Sequence, residues 1–93
     1  MRRFSVFALT ALGLAGGLAA AAQAGDLGRP CTVAPQSQWL SLEQIQAKVE
    51  AQGFKIRKAK LKNACDEIYA LDKSGGRVEL FVDPTSGEIV GRL

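Results

Sequence analysis

Two cysteines, Cys31 and Cys65, have the most reactive side chains in this 93-residue sequence, which contains no histidine. A cysteine pair can serve as a metal site, a redox couple or a structural disulfide. Two thiolates without histidine make a poor zinc site, and a redox motif keeps its cysteines two residues apart, which these are not. In an oxidising compartment the even pair reads as a structural disulfide, and closing a loop of this span is worth about 3 to 4 kcal/mol in the chain-entropy model. The carboxylates offer less. Asp83, Thr85 and Glu88 lack the run of oxygen ligands of a calcium loop and read as a turn, so no metal site is expected. Asp66 and Glu67 are adjacent on a strand and so point to opposite faces, which makes them ordinary surface charge and not an acid–base pair. With no nucleophile–base pair and no phosphate-cradling loop, the residues give no catalytic site and imply no cofactor. The expectation is that the chain is not an enzyme.

The compartment is legible at the start of the chain. Arg2 and Arg3 precede an uncharged Ala/Leu/Gly-rich run that ends in Ala22-Gln23-Ala24, the three-part plan of a signal peptide over residues 1–24 with cleavage between Ala24 and Gly25. A retained membrane anchor is the rival reading, since the run is nearly long enough to span a bilayer. Cleavage would leave no membrane span and an exported chain, periplasmic or extracellular. The full sequence carries 12 Lys+Arg against 9 Asp+Glu. Without Arg2 and Arg3 the balance falls to 10 against 9, so the basic character of the whole chain is no argument for nucleic acid. A mature chain this short has a thin core and needs a staple.

The elements that must position these residues follow from capping and period. Residues 25–38 are Gly/Pro/polar and read as an irregular arm around Cys31. Ser41 is an N-cap with Gln44 as its capping-box partner, Leu42, Ile45 and Val49 recur at helical spacing, and Gly53 is a C′ residue followed by Phe54. These signals predict a helix over about residues 42 to 52. From Phe54 the period becomes two, with Phe54 and Ile56 out of phase with Ala59 and Leu61. A β-bulge near Arg57-Lys58 would bring all four onto the core side. Asn63-Ala64 makes a tight turn into a strand over Cys65 to Asp72. Ser74-Gly75-Gly76 reads as a three-residue hairpin loop, which would set Ile68 opposite Val82, Ala70 opposite Leu80 and Tyr69 opposite Phe81. Asp83 to Gly87 is a turn and Glu88-Ile89-Val90 a last short strand. The expected fold class is α+β: one N-terminal helix packed on a three- to four-stranded antiparallel β-meander in two layers, spanning residues 39–93.

Two surface features could meet a partner. Lys55, Arg57, Lys58, Lys60 and Lys62 form the densest charge run, which could hold an acidic partner or could simply solvate an edge strand and meet Glu67 and Glu79 across the sheet. Tyr69, Leu71 and Phe81 alternate onto the face turned away from the helix, where apolar residues can mark a contact site. Cys65 shares their parity, so a Cys31–Cys65 bond would draw the arm over the same face as a cover. Tyr69, Leu71 and Phe81, bordered by Lys58, Lys60 and Lys62, form the candidate partner-binding face.

The run Trp39-Leu40-Ser41, the stretch Glu50-Ala51-Gln52-Gly53-Phe54, the segment Cys65-Asp66-Glu67-Ile68-Tyr69-Ala70 and the segment Asp83-Pro84-Thr85-Ser86-Gly87-Glu88-Ile89-Val90 together resemble the stand-alone, exported PepSY-domain proteins of bacteria. The resemblance covers about Trp39 to Val90. It implies a helix followed by an antiparallel sheet, and a module that binds or restrains other proteins, as in the propeptides of secreted metalloproteases and in cell-envelope proteins. It supplies no catalytic residues. The function expected is therefore a non-catalytic binding or regulatory module of the cell envelope with a protein partner. A small redox accessory using Cys31 and Cys65 is the alternative.

Overall fold

The computed structural model of the chain describes residues 25–93, so the expected signal peptide, residues 1–24, lies outside the described residues. Among the described residues there is one α-helix, α1 (Leu42–Glu50), and a four-stranded sheet, β1 (Lys55–Lys62), β2 (Cys65–Leu71), β3 (Arg77–Val82) and β4 (Ile89–Arg92). The sheet order is β1-β2-β3-β4, and every pairing is antiparallel. This is an α+β arrangement in which each strand pairs with its neighbour in sequence.

The helix forms where local chemistry places it. The Ser41 side chain accepts from the Gln44 amide at 3.1 Å and the Gln44 side chain accepts from the Ser41 amide at 2.9 Å, a reciprocal capping box that satisfies two otherwise unpaired donors. The chain leaves the helix through Gly53 at φ 101°, a conformation that a side chain would resist. Ile45 and Val49 are fully buried, and they pack with Ile68, Ala70, Leu80 and Val82 of the sheet, with Phe54, Ile56 and Ala59 at the margin. Fully burying an aliphatic side chain of this kind contributes about 1.5 to 3 kcal/mol, so this cluster is the main core.

β1 carries its bulge between Ile56 and Lys58, where the pairing with β2 shifts register. The extra residue keeps Ile56 opposite Ala70 and Ala59 opposite Ile68, both on the helix side. Leu61 shares that side but stays 48% exposed, because it stands opposite Asp66 at the far end of the strand and α1 does not cover it. Asn63 and Ala64 both adopt positive φ, 53° and 57°, the requirement of a two-residue type I′ hairpin. For alanine that conformation costs about 1 kcal/mol. Ala64→Gly is therefore expected to raise stability by about 1 kcal/mol and the melting temperature by about 5 °C, as thermal unfolding followed by circular dichroism would show. A lowered melting temperature would mean that the Ala64 methyl group contributes more through packing than its backbone conformation costs.

The second hairpin corrects the expected register. Ile68 stands opposite Leu80, Ala70 opposite Val78 and Tyr69 opposite Glu79, each two residues from the predicted partner. The loop is Lys73-Ser74-Gly75, one residue earlier than Ser74-Gly75-Gly76, because Asp72 and Gly76 still pair through an Asp72 N–H to Gly76 carbonyl bond of 2.8 Å. Asp72 fixes that choice. Its Oδ1 accepts from the Ser74 amide, the Ser74 hydroxyl and the Gly76 amide at 2.8 to 2.9 Å, while Gly75 takes φ 88°. The hydrogen bonds from Ser74 and Gly76 hold the Asp72 carboxyl below its ordinary pKa. A shift of two residues preserves side-chain parity, so the assignment of residues to faces is unaffected.

Candidate functional site

The face of the sheet turned away from α1 holds the expected contact residues, and the arm of residues 25–38 reaches it through a disulfide. Cys31 and Cys65 are bonded, with Cα atoms 4.9 Å apart. Together with Phe81 they form a second small core, packed by Leu27 and Val90. The arm is tied down elsewhere as well. Trp39 Nε1 donates to the Ala34 carbonyl at 3.1 Å, and the Leu40 amide donates to the Pro84 carbonyl at 2.8 Å, which joins the start of α1 to the β3–β4 turn.

The arm covers this face unevenly. Phe81 is 1% exposed and acts as a floor for the disulfide. Tyr69 and Leu71 are half-buried, Lys60 is half-buried, and Lys58 and Lys62 are exposed. The register sets Lys58 opposite Tyr69, Lys60 opposite Glu67 and Lys62 opposite Cys65, so all three lysines border the face. Lys60 does not end on its cross-strand carboxylate; its Nζ lies 5.8 Å from the centre of the Tyr69 ring, a cation–π distance. Glu79 faces Tyr69 and not a β1 lysine.

Where the arm's cover of the face ends lies a cleft of about 530 Å³ whose lining includes Arg57, Tyr69, Leu71, Arg77 and Glu79. Two exposed guanidiniums beside a phenol and a leucine give it an apolar floor with cationic walls, suited to an extended segment with acidic and apolar side chains. The Tyr69 hydroxyl is raised above its ordinary pKa by burial and then by the neighbouring Glu79 carboxylate, so it stays a neutral hydrogen-bond donor. Sequence reasoning did not single out Arg77, and it placed Glu79 only as a cross-sheet partner of the β1 lysines. Their parity with Tyr69 and Phe81 was the available signal, and the two-residue error in register obscured which of them met across the strands.

Three carboxylates expected at the surface are buried: Asp66 is 4% exposed, Glu67 2% and Glu79 7%. Asp66 and Glu67 do point to opposite faces, but neither is ordinary surface charge. Asp66 stands opposite Val82 on the helix side, beside a cleft of about 340 Å³ lined also by Trp39, Leu40, Leu42, Leu61 and Pro84, and burial pushes its pKa up to about 6. Glu67 stands opposite Phe81, on the face that the arm covers. Asp83 accepts from the Thr85 amide and hydroxyl at 2.8 and 2.7 Å, so it is used inside the β3–β4 turn. Among the described residues no group of three or more metal-ligating side chains is present.

The disulfide does not favour redox exchange. Cys31 is 8% exposed and Cys65 1%, so neither sulfur is presented to an attacking thiolate. Among the described residues no helix is long and apolar enough to cross a membrane.

No curated protein and no solved structure matches the chain. A family model does: the peptidase propeptide and YPEB domain matches residues 6–92, a span that takes in the helix, all four strands and the arm. The architecture and the match agree with the resemblance carried by the sequence, and the chain belongs to this PepSY family.

Proposed function

We propose that the chain is a non-catalytic binding or regulatory module of the bacterial cell envelope, acting by holding a segment of another protein, a protease among the candidates, against the outer face of its sheet. Membership of a peptidase-propeptide family supports a restraining role. The observation that carries the reading is the uneven cover of that face: the arm closes over Phe81 but leaves Tyr69 and Leu71 beside a cleft flanked by Arg57 and Arg77. Aromatic and apolar anchors within a cationic rim supply both affinity and orientation. Lys58, Lys60 and Lys62 extend the rim along β1. The compartment proposed is periplasmic or extracellular, after removal of residues 1–24.

The test separates contact from structure by leaving Phe81 alone. Substituting Tyr69→Ala with Arg77→Glu should weaken capture of the partner from envelope extract at least tenfold, with the melting temperature changed by only a few degrees. Capture that persists in this variant, or that fails only together with the fold, would remove the outer face from the interaction.

A further inference from the structure

Two buried oxygens on the outer face have no hydrogen-bond partner among the described residues, Glu67 Oε1 and Glu79 Oε2. Burying a carboxylate this deeply is costly unless a cation or several donors meet it. Glu67 and Glu79 are diagonal neighbours on β2 and β3, near enough for long side chains to share one electrostatic environment, and both bear on Tyr69. The β1 lysines border this face but leave those oxygens unmet.

Beside the Tyr69 hydroxyl, which bears on the Glu79 carboxylate by a side-chain hydrogen bond, the group that reaches Glu79 is the nitrogen of Gly25, which donates to Oε1 at 3.0 Å. The position is closely approached by the Leu93 side chain. A Cβ on Gly25 would displace the Leu93 side chain and sit 3.6 Å from Glu79 Oε1, and the Leu93 backbone is itself paired with Glu79 by bonds of 2.9 and 3.1 Å. Gly25 also follows Ala22-Gln23-Ala24 directly. As an internal residue it offers one amide donor and no charge. As a first residue it offers an ammonium, with three donors and a full positive charge, in the same place.

We propose that the outer face contains an ammonium site: once the chain is cleaved behind Ala24, the new α-ammonium of Gly25 docks on Glu79 within the field of Glu67 and fastens the arm to the sheet. The inference rests on residues 1–24 being a cleaved signal peptide, and it goes beyond the binding function, since the ligand is the chain's own processed end. The other charged or titratable groups around the site are Asp26 on the arm, Lys58, Lys60 and Lys62 on β1, Tyr69 on β2 and Arg77 on β3. Processing then does more than release the chain, because it creates the cation that two buried carboxylates lack.

The experiment uses protein exported from cells expressing the full chain. N-terminal sequencing should return Gly25 first. Titration of the Gly25 α-carbon resonance in glycine-labelled protein should give an α-amino pKa at least one unit above the ordinary range of about 7.7 to 8.0, a tenfold gain in proton affinity. That pKa should return to the ordinary range in Glu79→Gln and in urea, with Glu67→Gln between the two. An ordinary α-amino pKa in the folded wild-type protein would overturn the docking, whether or not the variants fold. A first residue other than Gly25 would instead overturn the processing site, and the docking with it.

Discussion

Cys65→Ser should lower the free energy of unfolding by about 4 kcal/mol, and with it the melting temperature by about 20 °C for a domain of this size. The bond spans 34 residues of sequence, and the chain-entropy model assigns about 4 kcal/mol to a loop of that length. The structure says where the loss will be felt. Leu27, Cys31 and Val90 pack on Cys65 and Phe81, so without the bond the arm gives up a closed apolar site, and a serine hydroxyl would stand where a sulfur is 1% exposed. Equilibrium unfolding in urea with and without reductant measures the effect. Hydrogen exchange locates it: protection should fall first around Phe81 and Val90, while Ile45, Val49 and Ile68 keep theirs. A reduced protein with the same midpoint and the same protection pattern would show that the arm adds nothing to the fold.

The second large effect is a gain in stability. Asp66 has its Oδ2 buried without a partner, and desolvation raises its pKa from 3.8 to about 6. A carboxylate whose folded pKa lies above its unfolded value favours the fold when protonated. That contribution is complete below about pH 4 and is lost as the pH rises through 6. A shift of this size corresponds to about 3 kcal/mol. Asp66→Asn, which keeps the shape and removes the ionisation, should therefore be more stable than the parent by up to about 3 kcal/mol at pH 7.5 and no more stable at pH 4. Denaturation of both proteins at half-unit steps from pH 4 to 8 would trace the difference. A difference constant across that range would mean that Asp66 is solvated when the chain folds.

Much of the architecture was legible because it is written in local chemistry. Ser41 with Gln44, Gly53, the phase change at Arg57-Lys58 and the Asn63-Ala64 turn each act within a few residues, and each stands where its pattern placed it. The disulfide was legible from an even pair of cysteines in a chain expected to be exported. The second hairpin was misread because glycine content pointed to Gly75-Gly76, whereas Asp72 selects the loop by accepting three hydrogen bonds. Burial of Asp66, Glu67 and Glu79 was not legible at all. Charge in a sequence argues for solvent, and what reaches Glu79 is the end of an arm of glycine, proline and polar residues with no periodicity to place it. The basic rim was readable from composition, while the cleft between Arg57 and Arg77 required the true register.

The strand order has a kinetic consequence. Because β1-β2-β3-β4 is an uninterrupted meander, nearly all sheet contacts close short loops, and chains of that kind fold quickly. The arm is the exception, since its cysteine must find a partner 34 residues away and oxidation takes seconds or longer. Helix and sheet should therefore assemble first, leaving Cys65 and Phe81 open on a finished surface until an oxidant and Cys31 arrive. For that interval the newly folded molecule is a template awaiting its latch, with a long-lived thiol-bearing intermediate that a rapid alkylation quench would trap.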